Sequence, residues 1–387
     1  MGTERLVTRD VALATVIYAL SVTLVGAYPI MAGLYTDQLK LGLDDVGWVF
    51  AIEQSGSIVG ALLGFWLTPR VSWRPLIVGA AFLAAVANAF TANVDGFAAL
   101  AALRFASGLG MMVATLVSAC LLARSPNPDR AFGAGLTLNC LLNAVFVWLM
   151  AKLLAESGYA AAILSAAGLF GLILVLGLAL SGDLRGDFEA PPATPESGAV
   201  RLAAARTGLA GLVLFGLAIN MIWVFLERVG LSNGLQAGDL GNAFALGLLA
   251  GTAGSAIPFV VGDSGNRARM IAITTAGLVA GIALAWWATD YWTFVAAVAI
   301  LASVWNMGLA YYMAMTAEND PTGRYTRAIY IAVVAAQAAG PAIAASLLEF
   351  SHIGTVFAIS PLPAIFALLL VAAVAGAPRV EGSSLAR

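Results

Sequence analysis

The stretch "VGWVFAIEQSGSIVGALLGFW", residues 46–66, is an apolar run long enough to cross a bilayer, with Glu53 about a third of the way along it. A carboxylate at that depth is expensive even on lenient insertion scales. Runs of the same kind recur along the chain. About twenty apolar residues cross the hydrocarbon, and twelve such spans are read: roughly 11–34, 46–67, 75–93, 97–123, 131–154, 160–180, 208–229, 239–262, 270–288, 291–315, 327–349 and 354–376. The predicted class is an all-α integral membrane protein.

Composition agrees. The chain has 387 residues, 61% hydrophobic and 10% charged, where a soluble domain carries about a quarter charged residues. A net charge of −2 gives nucleic acid no footing. Cys120 and Cys140 both lie inside apolar runs and read as small buried side chains. With no CxxC and a single histidine, His352, no metal site or disulfide is expected. The leader MGTERLVTRD is short and runs straight into a full-length span, so no cleavable signal peptide is expected.

Most connections are short. The exception is SGDLRGDFEAPPATPESGAVRLAAARTG, 181–208, which divides the spans six and six. The predicted organisation is a bundle over 1–180, a cytoplasmic linker over 181–207 and a second bundle over 208–387. The halves repeat: "DVGWVFAIEQSGSIVGA" (45–61) matches "DLGNAFALGLLAGTAGS" (239–255) at Asp45/Asp239, Gly47/Gly241, Phe50/Phe244, Ala51/Ala245 and Gly60/Gly254. Repeats of this kind place a solute site between the halves near mid-membrane.

Charge sets the orientation. With the N-terminus inside, Arg5, Arg9, Arg70, Arg74, Arg124, Arg130, Arg185, Arg201, Arg206, Arg267, Arg269, Arg324, Arg327, Arg379 and Arg387 face the cytoplasm. Lys40 and Lys152 lie opposite, with Arg228 at the border. The positive-inside rule then predicts a multi-pass protein of the inner (plasma) membrane with both termini cytoplasmic.

The chain resembles the major facilitator superfamily over nearly its whole length. Span four reads "LAALRFASGLGMM", similar to that family's L-x-x-x-R-x-x-x-G-x-G pattern through Leu100, Arg104, Gly108 and Gly110. "GDSGNRAR" after span eight is close to its G-x-x-x-D-R-x-G-R-R signature, one residue short, with Asp263, Gly265 and Arg267 in place. The matching loop "GFWLTPRVSWRP" keeps Gly64, Arg70 and Arg74 but has Thr68 and Pro69 where the family has an acid. The Gly-Pro that marks many of the family's antiporters in span five is lacking there; a Gly-Pro stands instead in span eleven, Gly340–Pro341. The resemblance implies two pseudo-symmetric six-helix bundles, rocker-switch alternating access and no cofactor. It also implies a site lined by spans one, four, seven and ten, with gating by Asp263, Arg267 and Arg70.

Glu53 lies seven residues past Val46 and Arg104 seven past Phe97, about 10 Å below the same membrane face in each case. Each is the obvious partner of the other. Two readings stay open: a static ion pair locking two helices, or a site where Glu53 titrates and Arg104 binds an anionic solute. Arg104, Ser107 and Met111 share a helical face. With Tyr28, Asn220, Trp223 and Asn306 they form the expected substrate-binding set. Glu53 and Glu227 are the expected proton carriers, Glu227 sharing a face with Asn220 and Trp223.

The function expected is a secondary transporter of a small organic solute, an organic or aromatic carboxylate in the sharpest form, driven by protons. The alternative is an exporter of hydrophobic drugs or lipids. A membrane sensor and an intramembrane enzyme are remote, since the acids are single and no His/Cys/Ser constellation exists. The partners expected are solute, proton and membrane lipids, the protein acting as a monomer.

Overall fold

A backbone in lipid must satisfy its own polar groups, and a helix does so within one segment. The computed structural model describes residues 8–126, 128–182, 184, 199–261, 266–320 and 324–375, and every regular element among them is helical. Twelve helical spans are long and apolar enough to cross a membrane: Arg9–Leu39, Leu43–Leu67, Trp73–Thr91, Phe97–Ala123, Ala131–Ser157, Tyr159–Leu178, Leu202–Trp223, Ala237–Pro258, Arg267–Trp287, Tyr291–Glu318, Ile329–Leu348 and Ile353–Val374. They are numbered one to twelve below. The face at which span one begins is called the near face, the other the far face.

Span one is not continuous. It runs helically over Thr8–Ser21, tightens to a 3-10 turn over Thr23–Ala27, and resumes over Tyr28–Leu39. Pro29 explains the break. It has no N–H to give the carbonyl four residues back, that of Val25. The Tyr28 N–H takes that carbonyl instead. Ser21 and Thr23 bond back to the carbonyls of Ile17 and Ala19, at 2.6 and 2.8 Å, a habit that bends helices.

Span seven differs from its sequence reading at both ends. Its helix is Ala199–Trp223, starting earlier because VRLAAARTG is alanine-rich and helix-prone. It stops at Trp223, and a separate short helix follows over Leu226–Ser232. Glu227 therefore does not continue the face of Asn220 and Trp223.

Packing repeats between the halves. Span two packs on four, three on four and six, and one on four and five; span eight packs on ten, nine on ten and twelve, and seven on ten and eleven. Two seams join the halves, span two against eleven and span five against eight. Close approach is built from small residues. A Cβ on Gly60 would lie 2.5 Å from the Leu109 carbonyl oxygen, and one on Gly254 would run into that of Ser303.

Candidate functional site

Three polar groupings stand out against the apolar spans. The first lies inside the first half. Glu53 of span two and Arg104 of span four are both fully buried, with Arg104 Nη1 3.6 Å from Glu53 Oε1. Arg104 Nη2 donates to Asn88 Oδ1 at 2.9 Å and Thr91 Oγ1 at 3.0 Å, both on span three. Asn88 in turn donates to Ser107 Oγ at 3.0 Å and the Ala84 carbonyl at 2.8 Å. Ser57 ties the two helices by donating to the Gly108 carbonyl at 3.1 Å. Tyr28 and Tyr35 stack on Phe50 with centroids 4.5 and 5.9 Å away, one turn before Glu53. The Tyr28 and Ser107 hydroxyls face the Glu53 carboxylate, while Arg104 Nε and Nη1 have no hydrogen bond. Buried polar atoms are nearly always paired, so the incompletely bonded guanidinium sets this pair apart from a saturated salt bridge.

The second grouping is a cavity of ≈ 230 Å³ between the halves, walled by spans one, four, five, seven, eight, ten and eleven. Of the expected binding residues, Met111, Asn220, Trp223 and Asn306 line it. Arg104, Ser107 and Tyr28 do not. Met111 is two helical turns beyond Arg104 on the same face, and only that lower level reaches the cavity. The guanidinium turns instead to spans two and three, so the cationic pole expected for a carboxylate is absent from this wall. Asn139 and Asn143 of span five also face the cavity, with Asn139 Nδ2 bonding the Ala19 carbonyl at 2.8 Å and Asn143 Nδ2 bonding Asn139 Oδ1 at 3.1 Å. Trp223 closes the far end: its Nε1 donates to the Val25 carbonyl at 3.2 Å, across the halves. Towards the near face the Tyr18 and Tyr330 hydroxyls meet at 3.4 Å, again across the halves.

The third grouping is on the far face, beyond the end of span seven. Arg228 grips Asp37 of span one through two bonds of 2.9 Å and holds Glu227 at 2.8 Å. Forked pairing of this kind fixes geometry as well as charge. Burial raises the Glu227 carboxyl to about 7, against the pull of Arg228. Trp48 adds a further tie, donating to Glu349 at 3.1 Å between spans two and eleven. Among the described residues the polar ties between the halves gather at the far face, the pattern of a conformer closed on that side.

Two of the expected gating residues are described, and both pair locally. Arg267 forks onto Glu318 at 2.5 and 2.7 Å, linking spans nine and ten. Arg70 donates to the Trp66 carbonyl at 2.6 Å and lies 4.8 Å over that ring. Asp263 falls outside the described residues.

Sequence reasoning passed over Asn88, Thr91 and Asp37. The first two were signalled by "ANAFT", two polar residues one turn apart in an apolar run. Asp37 has no such mark, standing at the polar end of span one.

Comparison with known proteins follows the same lines. The family model described as Major Facilitator Superfamily matches residues 11–335. No curated protein matches the chain. Among solved structures, a mutant of the nucleoside transporter NupG is similar at a TM-score of 0.77 and 12% identity, over 94% of this chain and 99% of that one. A bacterial homologue of the human lysosomal transporter Spinster, inward-facing and unoccupied, is similar at 0.65 and 11% identity, over 95% of each chain. At such identities the likeness is one of fold.

Proposed function

Because the chain belongs to the major facilitator superfamily, we propose that it is a secondary transporter that moves a small organic solute by alternating access, coupled to protons through Glu53. The observation that carries the coupling is the fully buried Glu53–Arg104 pair, one acid and one guanidinium 3.6 Å apart between spans two and four. A proton on Glu53 cancels its attraction for Arg104, and the guanidinium then rests on Asn88 and Thr91 alone. That loosens span four against span two. Span four also carries Met111 into the cavity wall, so charge state and cavity shape share one helix.

The two six-helix halves rock about the cavity. In the conformer described, the Trp223–Val25 and Arg228–Asp37 ties close the far side; transport requires that they part. Arg9, Arg70, Arg74, Arg124, Arg206, Arg267, Arg269 and Arg324 lie at or near the ends of spans on the near face, which supports a cytoplasmic near face and cytoplasmic termini in the inner (plasma) membrane. A carboxylate cargo would require Arg104 to leave Glu53, Asn88 and Thr91 together.

One feature favours the alternative, an exporter of hydrophobic compounds. An apolar groove of ≈ 360 Å³ runs between spans seven and eleven, past Leu209, Val213 and Ile331, with Arg206 at its rim.

Proteoliposomes holding a pH-sensitive dye test the coupling. A transported solute is expected to change internal pH with the wild-type chain, whereas Glu53→Gln is expected to exchange solute without moving protons. Proton-coupled accumulation by Glu53→Gln would remove Glu53 from the mechanism, and apolar compounds outcompeting polar ones would favour export.

A further inference from the structure

The cavity carries a pattern that neither the family nor the buried ion pair explains. Among the described residues, no Asp, Glu, Lys, Arg or His lines it. Its polar residues are the amides of Asn139, Asn143, Asn220, Asn306 and Gln337 with the hydroxyl-bearing Tyr18, Thr115 and Tyr330, and several of the amides have unused bonding capacity. Asn143 Oδ1 has no partner but is buried against Gly26 of span one, so it shapes the wall rather than opening to the cavity. Asn220 spends its Nδ2 on the Gly216 carbonyl at 2.8 Å, which leaves its oxygen to the cavity. Asn306 and Gln337, on spans ten and eleven, make no hydrogen bond to the described protein at all. An amide withdrawn from water without a partner is destabilising. Such a set, aimed into one space, is tolerated where water or a solute completes it.

Trp223 and Trp305 supply flat apolar faces to the same space. Indole faces stack well on rings that present C–H or π surface. The volume, ≈ 230 Å³, falls below the range of about 300–1,000 Å³ common for drug-sized ligands. A full charge here would be withdrawn from water with only neutral amide and hydroxyl dipoles for compensation, which is unfavourable without a counter-ion.

We propose that this cavity is a binding site for an uncharged, ring-bearing solute rich in hydrogen-bonding groups, of monosaccharide to nucleoside size. The proposal rests on the transporter reading and replaces the carboxylate expected from sequence. The amides of Asn220, Asn306 and Gln337 pair with the solute's hydroxyl or amide groups, and Trp223 or Trp305 takes its ring face.

The test is binding to the purified full-length protein, by calorimetry, of hexoses and nucleosides beside charged counterparts with the same ring: a uronic acid, an amino sugar and a nucleoside monophosphate. The expected result is that a neutral compound binds, its charged counterparts bind at least about tenfold more weakly, and Asn306→Leu weakens it by about tenfold, the scale of one lost buried hydrogen bond. Whether the sugar or the nucleoside arm responds identifies the source of the ring. A second readout on the unmutated chain guards against a misfolded variant. Cys140 lines the cavity while Cys120 is buried elsewhere, so the neutral solute is expected to slow maleimide modification of Cys140. Equal or tighter binding of a charged counterpart overturns the proposal, as does failure of every neutral ring compound to bind. A neutral solute that binds but is not carried across proteoliposome membranes leaves this site intact and defeats the transporter reading instead.

Discussion

Spans two and four meet as spans eight and ten meet, and the two interfaces keep one register. From Asp45 to Asp239 the repeat offset is 194 residues. The same offset carries Gly60 against Leu109 onto Gly254 against Ser303. It carries Glu53 onto Gly247 and Arg104 onto Val298, and a Cβ on Gly247 would lie 2.6 Å from the Val298 side chain. The second interface thus closes by apolar contact at the level where the first holds an acid and a guanidinium. Helix packing at this level does not require charge. That difference turns the buried pair from a structural clamp into the better candidate for chemistry.

The comparison can be broken most directly at Glu53. Glu53→Leu leaves Arg104 buried without its counter-charge and is expected to cost about 3–5 kcal/mol, read as a fall in Tm of the purified protein. Glu53→Leu with Arg104→Met makes the first interface apolar like the second at similar volume. It is expected to recover most of that loss while abolishing proton-coupled accumulation. A double variant no more stable than the single would restore the structural reading.

The shared register predicts a smaller, matched effect. Gly60→Ala and Gly254→Ala each push a methyl into a facing backbone carbonyl, and each is expected to cost about 1–3 kcal/mol. Thermal unfolding of the two variants side by side would sharpen the symmetry; a loss confined to one half would deny it.

The far-face clamp adds a pH effect of its own. In the closed conformer Glu227 titrates at about 7. Hydrated in an opened conformer it returns to the ordinary glutamate value of about 4.3. The closed conformer therefore binds the proton more tightly, and closure is favoured as pH falls through about 7 towards 4.3. Spin labels at Gln38→Cys and Gln236→Cys, with Cys120 and Cys140 replaced by Ala, are expected to report more of the short distance at about pH 5 than at about pH 8. Glu227→Gln should flatten that response. The smallest effect is expected at Asp37, whose side chain is 58% exposed. Asp37→Asn should change stability by less than about 1 kcal/mol.

Much of the scaffold was legible in the chain. Apolar runs announced the spans, and counting residues from the span ends put Glu53 and Arg104 at one height. What escaped depended on direction around a helix axis and on breaks without a local mark. Arg104 shares a face with Met111, yet only Met111, two turns further along, lies at the level of the cavity, while Arg104 meets span three. Pro29 foretold the break in span one. Nothing of the kind marks Val224, where span seven stops, so Glu227 was read onto a face it does not share. The amides of span five were visible as an i, i+4 pair, but that they meet Asn220 and Asn306 across the molecular centre is a property of the assembled halves.

The Val25 carbonyl gives the last lesson. A proline four residues on means that this rung of the ladder was never built, so bending span one there sacrifices no α-helical hydrogen bond. The indole of Trp223 lends it a bond from the opposite half for only as long as the two halves stay shut on that side. The hinge and the latch are in this way one atom, and water reaching that oxygen would be an early sign that the protein has begun to open.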